Sequence, residues 1–224
     1  RVDFARDLHE NGVNDPAREV LRGVLVSCPD NAEALAVSAC ICQCDGEDFE
    51  TGESLCLRAV AADPGCREAW RILLRNYWMQ SKYEAVALTC ERALSRLPAG
   101  DDDGLYFFNA LVESHLLLSC WADAGTAIAR MRVWGPEDAR LMANVYAVVA
   151  HCWREQWEEA LRLASSLLPG EMPGRWRPWL SAAVFESAHH LGRSQDADAF
   201  GNDGLAALRS NKFTMSWAER IARL

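Results

Sequence analysis

Glu68-Ala69-Trp70-Arg71-Ile72-Leu73-Leu74-Arg75-Asn76-Tyr77, followed by Tyr83-Glu84-Ala85-Val86, Ala93 and Pro98, is the stretch that carries most information about the fold. Trp70, Leu73, Leu74 and Tyr77 recur at helical spacing and lie on one face of a helix. Val86 and Ala93 are two helical turns apart on a second helix, and Pro98 stops it. Between the two helices Ser81 supplies a polar break. The stretch therefore predicts a helix, a short turn, a second helix and a proline stop.

The same pattern recurs on both sides. Small or aliphatic residues that open an amphipathic helix stand at Ala17, Gly52, Val86, Ala124, Ala160 and Ala197, at spacings of 35, 34, 38, 36 and 37 residues. Seven positions beyond each lies Val24, Ala59, Ala93, Met131, Leu167 or Gly204. Pro29, Pro64, Pro98 and Pro136 follow at the matching stop, with Pro173 one place late. Phe49, Tyr83, Trp121 and Trp157 precede the second helices, each just after Gly46, Ser81, Ser119 or Glu155. A pair of helices cannot cover its own apolar faces, so successive pairs must stack and share a core. An all-α superhelical array of about six repeats is expected, over residues 1–29, 30–64, 65–98, 105–136, 137–173 and 178–208. Thr214 or Ser216, Glu219, Trp217, Ile221 and Leu224 predict a C-terminal capping helix within 209–224. Linkers are expected at Ala99–Gly104 and Pro169–Pro178.

The third repeat resembles a tetratricopeptide repeat, through Trp70, Leu73, Tyr77, Val86, Ala93 and Pro98. It departs from that family at Leu74, where glycine is usual, and at Cys90, where a large aromatic is usual. The resemblance extends from Arg1 to about Leu208 and is strongest in the second to fifth repeats. It implies a right-handed solenoid with a protein-binding role. Lysine and asparagine on the first inner helices, which hold a carboxylate in the chaperone-binding branch of the family, are matched here by Val2, Arg6 and Val37. That mode of binding is not expected.

Composition narrows the function. The 224 residues carry a net charge of −9 and are half hydrophobic, which suits a folded core and opposes nucleic acid. No apolar run reaches the length of a membrane span, so no membrane insertion is expected. Nine cysteines, an odd number spread through apolar helical patterns, predict reduced thiols and a cytoplasmic location. Arg1 already lies in a helical pattern, which predicts that the chain is part of something longer.

Candidate chemical clusters each have a simpler explanation in packing, helix capping or a groove or surface role. In Cys40-x-Cys42-x-Cys44, Cys42 points nearly opposite the other two on a helix, so the three cannot converge on one metal ion. Glu186, His189 and His190 form only half of a di-iron pattern. His115 and His151 align with Tyr77 and are expected to pack, and Asp101 to Asp103 are expected to cap a helix. No phosphate loop or nucleophile elbow is present. No catalytic residue, metal or cofactor is expected.

The resulting expectation is a non-enzymatic scaffold that binds a peptide or helix of a partner protein in a groove. Arg71, Arg75 and Trp78 are left on the side of their helix opposite the packing residues. Carrying that spacing onward adds Tyr106, Asn109, Glu113 and Leu116, then Val149 and Trp153, then Glu186 and His190. Arginines beside aromatics predict a partner segment with acidic and bulky apolar residues. Two alternatives are an array serving as the substrate-recruiting or regulatory arm of a larger enzyme or transcriptional regulator, and one built into a larger complex as a subunit.

Overall fold

The computed structural model describes residues 1–46, 48–96, 98, 102–135, 137–168 and 176–193. Among these, every regular element is an α-helix: α1 (Val2–Glu10), α2 (Asn14–Ser27), α3 (Ala32–Gly46), α4 (Phe49–Ala62), α5 (Arg67–Met79), α6 (Tyr83–Leu94), α7 (Asp102–Leu117), α8 (Trp121–Trp134), α9 (Glu137–Trp153), α10 (Trp157–Leu167) and α11 (Arg177–His190). Among the described residues no helix is long and apolar enough to cross a membrane. The expected capping helix, the second helix of the sixth repeat, Pro136 and Pro173 lie outside the described residues.

Phe49, Tyr83, Trp121 and Trp157 are each the first residue of α4, α6, α8 and α10. The turns before Tyr83, Trp121 and Trp157 share a backbone form with those that follow α1 and α11. Ser81, Ser119 and Glu155 take left-handed φ values of 57°, 57° and 59°, and Gly12 and Gly192 take 75° and 70°. These residues close the preceding helix as a Schellman motif, in which an amide bonds to the carbonyl five residues back. The bonds are Val13 to Leu8, Lys82 to Tyr77, Cys120 to His115, Gln156 to His151 and Arg193 to Ala188, all between 2.8 and 2.9 Å. The turn is therefore fixed by the main chain. It also sets a register independent of side chains, because Tyr77, His115 and His151 each lie four residues before a left-handed residue.

The chain divides into two compact units, Arg1–Pro98 and Ala99–Leu224. In the first, α1 pairs with α2, α3 with α4 and α5 with α6, and the first helices of the pairs also pack as α1 on α3 and α3 on α5. Side-chain hydrogen bonds tie the pairs together. Gln43 Nε2 donates to the Ile72 carbonyl at 3.2 Å, Asn76 Nδ2 to the Phe49 carbonyl at 2.8 Å, and Tyr77 Oη to Glu53 Oε1 at 2.8 Å. Burying these polar groups costs little because each has a partner. Ala5, Ala17, Leu21, Ala34, Val37 and Ile41 form a closed cluster between α1, α2 and α3.

In the second unit α7 pairs with α8 and α9 with α10, while α9 also meets α7, α8 and α11. Phe107, Phe108, Leu111, Leu116, Met131 and Tyr146 are its largest fully enclosed side chains. One sequence expectation is corrected here. The linker expected over Ala99–Gly104 is shorter, because α7 begins at Asp102. Gly104 is a packing residue of that helix rather than a breaker, since a β-carbon there would overlap the Trp134 indole ring.

Candidate functional site

On the first unit, the first helices of the three pairs present a polar face. Arg6 of α1 reaches Glu68 of α5 at 2.7 Å and Asp3 at 3.1 Å. Arg75 of α5 bends toward α3, donating from Nε to Gln43 Oε1 at 3.2 Å and from Nη2 to the Cys40 sulfur at 3.1 Å. His9 of α1 approaches the same sulfur, with Nε2 at 3.4 Å, while its Nδ1 lies 2.7 Å from Asn14 Oδ1. Burial pushes the Cys40 thiol pKa up, against the pull of Arg75. Arg71 lies exposed further along α5, and Trp78 packs edge-on against Tyr83 at 5.6 Å. On another side of α3, Cys42 lines a cleft of about 470 Å³ with Arg18, Arg22 and Arg58. None of the nine cysteines forms a disulfide.

The second unit carries a polar pair between two first helices, enclosed at Tyr146 and partly buried at Glu113. Tyr146 of α9 donates its hydroxyl to Glu113 Oε1 of α7 at 2.7 Å. Burial pushes the Glu113 pKa up to about 7, with the Tyr146 hydrogen bond pulling the other way. Burial and the neighbouring carboxylate raise Tyr146 well above its usual range. Asn109, one turn before Glu113, has a buried Oδ1 with no hydrogen-bond partner among the described residues. His190 stacks on Trp157 at 4.1 Å with rings nearly parallel. His115, Cys120 and Asp123 bring one ligand atom each within 4.8 Å of one another around the turn between α7 and α8.

Comparison with known proteins gives a fold. No protein-family model matches the chain, and no curated protein matches it. Among solved structures, a tetratricopeptide repeat protein from Parabacteroides merdae superposes with a TM-score of 0.73 at 14% identity, over 99% of this chain and 84% of that one. The fold is that of the tetratricopeptide repeat. A structure reported as the functional characterization of Pseudomonas aeruginosa pilF gives a TM-score of 0.63 at 13% identity, covering 98% of this chain and 95% of that one. YrrB, described as a TPR protein with an unusual peptide-binding site, gives 0.58 at 12% identity, over 91% and 98% of the two chains.

The tetratricopeptide register places the expected groove residues unevenly. Arg71 and Arg75 are exposed on α5, Tyr106 is 37% exposed on α7, and His190 is exposed at the end of α11. Trp78, Asn109, Glu113 and Trp153 are partly buried. Leu116, Val149 and Glu186 are each fully buried, so they offer no surface to a partner in this structure. That corrects the expectation for these three, and the reason is packing. Leu116 is enclosed with the core of α7, and α9, with four neighbouring helices, keeps little open surface around Val149. Arg75 faces Cys40 and Gln43 in addition to solvent. Sequence reading missed the approach of His9 to Cys40, since 31 residues separate them and no spacing rule links two different helices.

Proposed function

We propose that the chain is a non-enzymatic interaction scaffold that binds an extended or helical segment of a partner protein on the face formed by its first helices. The observation that carries this reading is the exposed arginine pair Arg71 and Arg75 on that face, beside the amphipathic ring of Trp78. Guanidinium groups next to an aromatic edge pair with carboxylates and stack on apolar side chains. The preferred segment therefore has acidic residues next to bulky apolar ones. The tetratricopeptide fold supports the reading, because stacked helix pairs offer a long continuous surface for such segments. Taken by itself, the second unit exposes Tyr106 and His190 and partly exposes Trp153 and Glu113.

Selection from a displayed peptide library tests the proposal. Recovered peptides are expected to be enriched in acidic residues next to aromatic or aliphatic ones. Arg71→Glu is expected to weaken their binding at least about tenfold, which corresponds to about 1.4 kcal/mol. The far-ultraviolet spectrum and unfolding midpoint should be unchanged. Peptides of neutral or basic composition, or full binding by Arg71→Glu, would remove this face from the function.

A further inference from the structure

We propose that His9, Cys40 and Cys44 form a zinc-binding site on the first unit, next to Arg75 of the proposed peptide-binding face. The two cysteines are four residues apart on α3 and share a side of that helix, and His9 comes from the last turn of α1. One ligand atom from each lies within 4.8 Å of the other two, and His9 Nε2 is 3.4 Å from the Cys40 sulfur. A tetrahedral zinc ion with its usual bond lengths needs nitrogen and sulfur about 3.6 Å apart and two sulfurs about 3.8 Å apart. The His9–Cys40 separation is already near that size, and the other pairs, within 4.8 Å, need only a small contraction.

The surroundings suit a metal ligand set in two further ways. Asn14 Oδ1 lies 2.7 Å from His9 Nδ1, and an amide oxygen only accepts, so the ring proton sits on Nδ1. The lone pair of Nε2 is thereby turned toward the thiols, as in zinc sites where the outer ring nitrogen donates to a carbonyl. Arg75 Nη2 lies 3.1 Å from the Cys40 sulfur and 3.9 Å from the Cys44 sulfur. It cannot be a ligand, but its N–H groups stabilise thiolates. The donor set of one imidazole and two sulfurs excludes calcium and magnesium, which take oxygen, and suits zinc with a fourth position left to water. Binding converts both thiols to thiolates and releases two protons for each zinc ion, so affinity falls as pH is lowered. The ion would clamp the first repeat to the second through rigid helices.

The test uses the reduced, metal-stripped 224-residue chain. Cobalt is added as the spectroscopic probe, and zinc affinity is measured by competition with a chromogenic chelator. Thiolate-to-cobalt charge-transfer absorption is expected, with zinc displacing it and raising the unfolding midpoint. Cys44 is exposed, so Cys44→Ser leaves the packing intact. Cys44→Ser, Cys40→Ser and His9→Gln are each expected to lower zinc affinity at least about tenfold. Cys42→Ser and Cys120→Ala should leave it unchanged. Absence of the charge-transfer band, wild-type affinity in Cys44→Ser, or loss of the site in Cys120→Ala instead would each overturn the assignment.

Discussion

Raising the pH through neutrality is expected to destabilise the second unit through Glu113. Its carboxyl, bonded to Tyr146 at 2.7 Å, keeps its proton in the folded chain up to about pH 7, against an ordinary value of 4.5. The unfolded chain therefore gives up this proton first. The stability it contributes is full below 4.5, falls as the pH rises from 4.5 to about 7, and stays low above that. At about 1.4 kcal/mol for each unit of displacement the ceiling is about 3 kcal/mol, and the solvent contact of the partly buried side chain reduces it, so about 1 to 3 kcal/mol is expected. Glu113→Gln isolates the effect, because glutamine still accepts the Tyr146 hydroxyl but does not titrate. Urea unfolding followed by circular dichroism, at several pH values from about 5 to about 8, gives the stability of both proteins. The wild type should lose ground to Glu113→Gln as pH rises, with most of the change complete by about pH 7.5. Parallel curves, or a wild type that gains on the variant with pH, would refute the reasoning.

Two further outcomes follow from the backbone and the packing. Ser81→Gly, Ser119→Gly and Glu155→Gly each remove a β-carbon from a left-handed turn residue and should raise stability by about 0.5 to 1 kcal/mol per site in urea unfolding. Gly104→Ala should cost about 1 to 3 kcal/mol, because the added methyl meets the Trp134 ring and must displace it, and near-ultraviolet circular dichroism should report a shifted indole.

Much of the fold was legible because the repeat marks its own joints. Aromatic residues fall on the first positions of α4, α6, α8 and α10, and the polar breaks at Ser81, Ser119 and Glu155 are the left-handed residues of the turns. The spacings of 38, 36 and 37 read from Val86 to Ala197 reappear between Ser81, Ser119, Glu155 and Gly192. The candidate site was less legible. A spacing of three or four tells which residues share a face of one helix, but not how far a neighbouring helix lies over that face. Arg71 and Arg75 stay exposed on α5, whereas the same arithmetic on α9 arrives at Val149, which is enclosed. His9 carries the same lesson in reverse. Its meeting with Cys40 depends on α1 lying against α3, a relation between helices that has no trace in the local sequence.

The main-chain closure of the turns has a consequence for how the molecule comes apart. The hairpins α1–α2, α5–α6, α7–α8 and α9–α10 are each sealed by an amide-to-carbonyl bond, and each helix packs chiefly on the next helix or the next but one. Contacts that close over so few residues carry a small entropic cost of loop formation, so a hairpin can reform while its neighbours remain open. Opening is then a sequence of local steps, each weighted by one hairpin and the interface beside it. Hydrogen exchange should resolve a gradient of protection from one helix pair to the next. A ligand that spans several pairs would convert those separate openings into a single cooperative one.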